Sequence, residues 1–228
     1  MSVQLRIAKP EDAGAIAGIA ELAEVASIDA DSPRVRKRLG GGRTFVATRH
    51  GEVIGFVDSF VTADPTGGRR FELDLLAVAP AAQGCGVGGS LLAASLAVAA
   101  EGGAQHIRAL VRCENAAMQK LCRRHGFVRS TNCFELYVVD PQPVPRRKQN
   151  HDARVIAVET LNYAGLWLEG ELSQAAIDDA HWLASQGELA VIGAVIPSTA
   201  LDVVELLEAN SFRKVSQYHW WTINLRND

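Results

Sequence analysis

The stretch that most constrains the fold is residues 73–92, which read LDLLAVAPAAQGCGVGGSLL. Apolar, β-favouring residues up to Val78 predict a buried strand, and the small and leucine residues of 88–100 predict a helix. Residues 83–89 are therefore a loop that enters a helix N-terminus. Its glycines allow close backbone approach, and free N–H groups with the helix dipole favour an anion. The loop is predicted to bind phosphate or pyrophosphate through the backbone at Gly84, Gly86, Gly88 and Gly89.

Three kinds of phosphate loop use glycines in this way, and their spacing separates them. Gly84 and Gly89 have P-loop spacing, but Ser90 stands where that loop needs a lysine. The dinucleotide pattern G-x-G-x-x-G is also met, yet residues 80–83 separate its glycines from the strand, where that fold turns almost at once. A glycine-rich connection without a ligand is a further alternative. The third pattern, Q/R-x-x-G-x-G/A, is met by Gln83, Gly86 and Gly88.

Two longer patterns carry a resemblance to a known family. The first, L-L-A-V-x-P-x-x-Q-G-x-G-V-G-x-x-L-L, covers residues 75–92. The second, N-x-x-A/M-x-x-L-x-x-x-x-G-F, is met by Asn115, Met118, Leu121, Gly126 and Phe127. Together they closely resemble the GNAT superfamily of N-acetyltransferases, in which the glycine loop holds the pyrophosphate of acetyl-CoA.

The resemblance implies which residues contact acetyl-CoA, the expected co-substrate. They are Leu76, Ala77, Val78, Gln83, Gly84, Cys85, Gly86, Val87, Gly88, Gly89 and Asn115. Asn115 is also a good helix N-cap, so a contact with the pantetheine arm and a capping role can both hold. Gly126 is predicted to end the same helix in a left-handed conformation.

The expected fold is the α+β GNAT fold, a mixed and mostly antiparallel sheet flanked by helices. Strands are predicted at 4–8, 44–48, 53–61, 70–78 and 107–111, from Phe127 onward and at 134–139, and helices after residue 10 and at 33–39, 88–100 and 115–121. The family order β-α-α-β-β-β-α-β-α-β-β is thus complete within residues 1–140, the expected catalytic domain. Residues 141–150 read as a proline-rich, basic linker, and 151–228 as a second domain.

Acetyl transfer needs a neutral amine, a stabilised oxyanion and a proton for the departing thiolate. The resemblance assigns the oxyanion to backbone N–H groups of the strand, above all that of Val78. Strand alternation predicts that Glu72 and Asp74 lie in the same row as Val78, with Asp74 nearer the thioester and Glu72 acting through water as general base. In the alternative, both carboxylates are solvated or pair with arginines such as Arg69 and Arg70.

The proton donor is where the sequence departs from the family pattern. Many relatives have a tyrosine one residue after Leu121, whereas this chain has Cys122. A thiol with a reference pKa of about 8.5 could donate the proton, but an apolar cysteine on a buried helix is the competing interpretation. In that case the proton comes from water, from Tyr137 or from solvent.

The second half is predicted to be a degenerate repeat of the first. At an offset of 85 residues the matched pairs include Ile107 and Ile192, Leu121 and Leu206, and Phe127 and Phe212. The same offset puts Glu169 and Glu171 where Gly84 and Gly86 stand. Carboxylates there would repel a pyrophosphate, so the second half is expected to bind no cofactor.

This half lacks the first helices and hairpin, so its sheet face and aromatic residues need a partner. The aromatic residues are Trp182, Tyr218, Trp220 and Trp221. We expect it to pack on residues 1–140 as a pseudo-dimeric half, or to complete a homodimer, and to serve structure or closure of the acceptor pocket.

Composition limits the partners. The 228-residue chain has a net charge of -3 and 48% hydrophobic residues, so neither nucleic acid nor a membrane surface is expected as partner. It has no long apolar stretch and no signal-peptide core, which predicts a cytoplasmic location. The four cysteines lack metal-ligand spacing, so reduced thiols and no metal site are expected.

Two functions remain open at this stage. The first is an acetyl-CoA-dependent N-acetyltransferase that acts on a primary amine of a small molecule or a protein. The alternative is a GNAT-fold acyl-CoA sensor or regulator that binds without turnover, which the missing tyrosine favours. A dehydrogenase is a distant third.

Overall fold

The computed structural model describes residues 3–145, 150–187 and 189–225, so part of the predicted linker, 146–149, lies outside the described residues. The strands are β1 (Gln4–Ile7), β2 (Phe45–Arg49), β3 (Glu52–Ala63), β4 (Arg69–Val78), β5 (His106–Arg112), β6 (Val128–Arg129), β7 (Phe134–Val139), β8 (Arg154–Glu159), β9 (Ala164–Glu169), β10 (Val191–Pro197) and β11 (Arg213–Asn224). The helices are α1 (Ala13–Leu22), α2 (Pro33–Leu39), α3 (Val87–Glu101), α4 (Ala116–Arg124), α5 (Gln174–Gln186) and α6 (Leu201–Ala209). The predicted element order from β1 to β7 is confirmed.

Local sequence signals explain several of these boundaries. His50 and Gly51 both have positive φ, at 56° and 83°, which is the backbone of a tight hairpin turn between β2 and β3. The Asn115 side chain accepts a hydrogen bond from the Met118 N–H at 2.9 Å and caps α4. Gly126, at φ 81°, follows the end of α4 in the predicted left-handed conformation.

One curved sheet runs through both halves, in the order β1-β2-β3-β4-β5-β11-β7-β10-β9-β8, with β6 paired to β11. The pairs β4–β5 and β9–β10 are parallel, and the other pairs are antiparallel. The sequence β3-β4-α3-β5-α4-β7 recurs as β8-β9-α5-β10-α6-β11. The final strands are exchanged, because β11 lies beside β5 and β7 lies beside β10.

Side-chain packing follows this exchange. Trp221 of β11, only 1% exposed, lies in the core formed by α3, α4 and the first half of the sheet. Tyr137 and Val139 of β7 lie instead in the core of the second half, beneath α5 and α6. Each half therefore supplies apolar side chains to the core of the other. That the second half descends from a duplicated sequence stays a prediction.

The predicted match of Glu169 and Glu171 to loop glycines is wrong. Leu73 pairs with Ala109 between β4 and β5, and Leu168 pairs with Ala194 between β9 and β10. Since Ala109 and Ala194 are equivalent at the 85-residue offset, Glu169 corresponds to Asp74 and ends a strand. A short connection, 170–173, replaces both the end of β4 and the loop before α3. The loop is thus deleted in the second half, and not merely filled with acidic residues.

The two ends of the sheet approach each other through the turn between β8 and β9. Leu161 in this turn is fully buried in the core beneath α1 and α2. The Arg34 guanidinium, on α2, donates hydrogen bonds to the carbonyls of Thr160, of Leu161 at 3.2 Å and of Tyr163 at 3.3 Å. The second half therefore covers the side of the first half on which α1 and α2 lie.

Replacing Trp221 tests the exchange of strands. Trp221→Ala is expected to lower the free energy of unfolding by roughly 3–5 kcal/mol, because it empties a buried site in the core of the first half. Urea denaturation followed by circular dichroism measures this. Leu201→Ala, at a residue 68% exposed on α6, is the control and should change the value by less than about 0.5 kcal/mol. A small loss in the Trp221 variant would contradict the exchange.

Candidate active site

The glycine loop has the geometry of an anion site. Gly84 and Gly86 have φ of 77° and 81°, and a Cβ atom added at either would meet nothing within 4 Å. The Gln83 amide donates a 3.0 Å hydrogen bond to the Val78 carbonyl and ties the loop to the end of β4. The Ser90 N–H donates a hydrogen bond to the Gly86 carbonyl, which is the first i→i−4 bond of α3. The backbone N–H groups of 87–89 come before it, at the helix N-terminus, where such groups can bind an anion.

A gap between β4 and β5 lies next to this loop. The pairing of these parallel strands ends at Leu73 and Ala109, so the last residues of β4 diverge from β5. β4 has a bulge at the same place. Ser59 of β3 pairs with Leu73 and Val57 pairs with Leu76, so two residues of β4 lie opposite a single residue of β3. The strands therefore open toward α3 and α4.

The bulge also corrects the predicted side-chain alternation. Leu73 and Leu76 both pack in the core beside α3 and α4, so the alternation shifts between them. Val78 packs in the same core, whereas Leu75 and Ala77 pack beneath α1 and α2. The prediction that Glu72 and Asp74 share a row with Leu76 and Val78 is therefore wrong. The carboxylates lie on the opposite face of β4.

Asp74 lies at the point where the gap opens. Its Oδ2 atom is buried and has no hydrogen-bond partner among the residues that the structure describes. The pKa of this carboxyl is raised to about 8, chiefly by burial and also by the negative charges of Asp58 and Glu72, while the positive charge of Arg38 acts against them. A carboxyl with this pKa can exchange a proton near neutral pH.

Glu72, in contrast, is fully engaged in hydrogen bonds. Its Oε1 atom accepts bonds from Thr62 Oγ1 and Arg70 Nε, both at 2.7 Å, and its Oε2 accepts one from Arg108 Nε at 2.7 Å. The predicted alternative, pairing with an arginine such as Arg70, is the arrangement observed for this residue. Geometry therefore favours Asp74 over Glu72 as the group that handles a proton.

Glu169 extends this network across the two halves. It accepts hydrogen bonds from Arg70 at 2.8 and 3.1 Å, from Arg154 at 3.2 Å and from Arg108. Burial alone would raise the pKa of Glu169, but the positive charge of Arg108 and the bonds from both buried arginines hold it below its ordinary value. The role of Arg108 was missed in the sequence, although an arginine within an apolar strand is a signal of a buried ion pair.

The candidates for proton donation lie elsewhere. Cys122 is fully buried among apolar residues such as Phe127, and burial raises the pKa of its thiol to about 12. Tyr137 packs in the second half and donates a hydrogen bond to Glu135 at 3.2 Å. Neither residue lines the cavity beside Asp74, which supports the apolar interpretation of Cys122.

A cavity of about 490 Å³ occupies the gap and extends between the two halves. The first half contributes Asp74, Leu110 and Met118, and Asn115 at the start of α4. Strands β7, β9, β10 and β11 and the β8–β9 turn add Leu136, Asn162, Tyr163, Trp167, Glu169, Val195, Tyr218 and Trp220. The sequence predicted that the second half, with aromatic residues such as Tyr218 and Trp220, serves structure or closes the acceptor pocket, but it assigned none of these individual residues to the site.

Tyr163, in the β8–β9 turn, lines the same cavity as Asp74. Its hydroxyl accepts a hydrogen bond from Trp167 Nε1 at 3.0 Å. Burial raises the pKa of this phenol, and the charge of Asp74 raises it further. The hydroxyl therefore stays protonated at neutral pH and keeps its own hydrogen available.

Other sequence expectations have simple outcomes. All four cysteines are free thiols, as predicted. Within 3–145, 150–187 and 189–225, no cluster of histidine, cysteine and acidic side chains could hold a metal ion. No helix in the described part of the chain is long and apolar enough to cross a membrane.

Comparison with known proteins agrees with this geometry. The family model described as Acetyltransferase (GNAT) family matches residues 15–127. A protein described as a putative acetyltransferase from Pyrococcus horikoshii is 16% identical, with a TM-score of 0.64 over 98% of this chain and 90% of its own. A ribosomal-protein-alanine N-acetyltransferase from Brucella melitensis is 25% identical, with a TM-score of 0.51 over 58% and 88%.

The NatC complex bound to Gag peptide and CoA is a third structure of this kind. It is 17% identical, with a TM-score of 0.50 over 58% of this chain and 88% of its own. No curated protein matches the sequence. The likeness to the Pyrococcus structure extends over both halves, so the GNAT fold accounts for most of the chain.

The raised pKa of Asp74 predicts a pH-dependent stability. The unfolded chain loses this proton near pH 3.9 and the folded chain near pH 8, so the group progressively lowers stability as pH rises through about 4–8. Asp74→Asn cannot ionise, so its melting temperature relative to the native protein should rise from pH 5 to pH 8. Asp31→Asn, at a side chain 95% exposed, should give a constant difference. A constant difference for Asp74→Asn would assign this carboxyl an ordinary pKa.

Proposed function

We propose that this chain, whose residues 15–127 belong to the acetyltransferase (GNAT) family, transfers an acetyl group from acetyl-CoA to a primary amine. The observation that carries the proposal is a protonatable carboxyl, Asp74, in a cavity at the gap between β4 and β5 that extends as far along β4 as Leu76, next to a glycine loop with the geometry of an anion site. A loop that only connected two elements would need neither the gap nor the carboxyl.

The residues present fit acetyl-CoA. Open space at Gly84 and Gly86 and the amides of 87–89 suit a pyrophosphate. A Cβ at Gly88 would come 3.6 Å from the Leu76 side chain, so a small residue there lets α3 approach β4 closely. The diverging backbone of 76–78 is placed to receive the pantetheine arm and the thioester oxygen.

The reaction can be assigned to named groups. The co-substrate supplies an acetyl thioester, whose C–S bond breaks as the new C–N bond forms. Asp74 takes the proton that the attacking amine loses, and the N–H groups of 76–78, above all that of Val78, stabilise the oxyanion. The thiolate receives a proton from solvent or from a cavity phenol such as Tyr163, and not from the buried Cys122.

The second candidate is a non-catalytic acyl-CoA sensor, which the absence of a tyrosine at Cys122 favours. The two functions differ in one measurement. Release of free thiol from acetyl-CoA across a panel of amines should depend on the amine if the protein is an enzyme. A sensor would bind acetyl-CoA without any amine-dependent rate.

Replacing Gly86 tests the cofactor loop. Gly86→Glu puts a side chain and a negative charge where a phosphate must approach, so calorimetry should find CoA affinity lowered by about 100-fold or more. Gly103→Glu is a matched control, because Gly103 also has positive φ, at 69°, but follows the other end of α3. Equal affinity in the two variants would place the pyrophosphate elsewhere.

Replacing Asp74 tests the general base. Asp74→Asn is expected to lower kcat about 10²–10⁴-fold and to leave the KM for acetyl-CoA nearly unchanged. In the native protein kcat should rise with pH up to about 8 as Asp74 ionises, and this rise should be absent from the variant. Cys122→Ala, the control, should keep most of the activity. A loss of several orders of magnitude in that control would make Cys122 the proton donor instead.

A further inference from the structure

Glu72 and Glu169, two carboxylates in the cavity wall, are already paired with arginines. Glu72 and Glu169 are both bonded by Arg70 and Arg108, and Arg154 adds a third guanidinium to Glu169. Two carboxylates are thus shared by three guanidinium groups. A second ammonium group on an acceptor would therefore find Glu72 and Glu169 already paired, and it would have to compete with their hydrogen bonds from Arg70 and Arg108.

The uncharged part of the wall offers apolar contacts. Its apolar members include Leu110, Leu136, Trp167, Val195 and Trp220. The Nε1 donor of Trp167 is already bonded to Tyr163, and the ring of Trp220 has the Arg108 guanidinium at 4.1 Å from its centroid. What these side chains present to an acceptor is therefore aliphatic and aromatic surface.

The β8–β9 turn makes this pocket a poor site for a polypeptide. Asn162 and Tyr163 line the cavity, while Leu161 and the bonds from Arg34 hold the turn against α1 and α2. An extended peptide would have to displace this turn. A cavity of about 490 Å³ that also receives the pantetheine arm suits a small acceptor.

The carboxylates nearest the cavity mouth are exposed to solvent. Glu24 follows the end of α1, and Glu114 lies 3.9 Å from Arg112. Solvent screens such groups, so they select acceptors weakly.

We propose that the acceptor is a small monoamine with an aliphatic or aromatic body, which packs against Leu136, Val195 and Trp220 while its nitrogen faces Asp74. The proposal rests on acetyl transfer at this site. It assigns the second half a direct part in acceptor choice, since Val195 and Trp220 belong to β10 and β11, while Leu136 belongs to β7, which pairs with β10.

An acceptor panel tests this selectivity. With acetyl-CoA, kcat/KM for 2-phenylethylamine is expected to exceed that for putrescine, spermidine or an alanine-ended peptide by about 100-fold. Preference for a polyamine or the peptide overturns the proposal. If no amine releases thiol, the proposed function fails. Calorimetric titration of the same amines into the CoA-bound protein then still decides the selectivity, since tighter binding of putrescine, or no binding of 2-phenylethylamine, overturns it.

A paired substitution tests the apolar wall directly. Leu136→Asp adds a carboxylate to the cavity, and Leu136→Asn is the neutral control of the same shape. The ratio of putrescine to 2-phenylethylamine kcat/KM should be at least about 10-fold higher in the aspartate variant. Val195→Asp and Val195→Asn repeat the comparison on β10 if the first pair folds poorly. If the aspartate and asparagine variants have equal ratios at both positions, these residues do not contact the acceptor and the proposal is overturned.

Discussion

The exchange of β7 and β11 is the constraint on which the rest of the structure depends. Because β11 pairs with β5 and β7 pairs with β10, neither half can complete its sheet with its own final strand. Because of this exchange, Trp221 of β11 packs in the core of the first half and Tyr137 of β7 packs in the core of the second half. The same arrangement brings β9 and β10 to face β4 and β5 across a cavity. The candidate site is therefore a consequence of how the halves interlock.

The equivalence of Asp74 and Glu169 gives the two halves different chemical tasks. Each carboxyl stands one residue after the last leucine paired with the neighbouring parallel strand. Glu169 is bonded by three arginines, which offsets the large cost of burying its charge and links the halves. Asp74 has a buried Oδ2 atom with no partner in the described part of the chain. One position thus holds a fully paired carboxylate, and its counterpart holds a buried carboxyl with a raised pKa.

Much of the first half could be predicted because its signals are local. The glycine loop, the Asn115 cap and the strands from β1 to β5 follow from periodicity and turn residues within a few positions of each other. The strand exchange and the network of Arg108 with Glu169 could not be predicted, because they join residues far apart in the sequence. The bulge between Leu73 and Leu76 also has no local signal, and it reversed the predicted face of the strand. The 85-residue offset between the halves also gave the wrong match for Glu169. The second half lacks the segment equivalent to the glycine loop before α5, so the offset does not hold on the other side of that deletion.

The second half also bears on the acidity of Asp74. Burial is the largest cause of the raised pKa, and an aspartate at the open end of two diverging strands would otherwise be reached by water. Here Asn162 and Tyr163 of the β8–β9 turn line the same cavity as Asp74, and the charge of Asp74 raises the pKa of the Tyr163 phenol. A half without a cofactor loop can therefore still tune the proton chemistry of the other. The buried carboxyl costs stability above pH 4, and the interlocked sheet supplies the packing that offsets this cost.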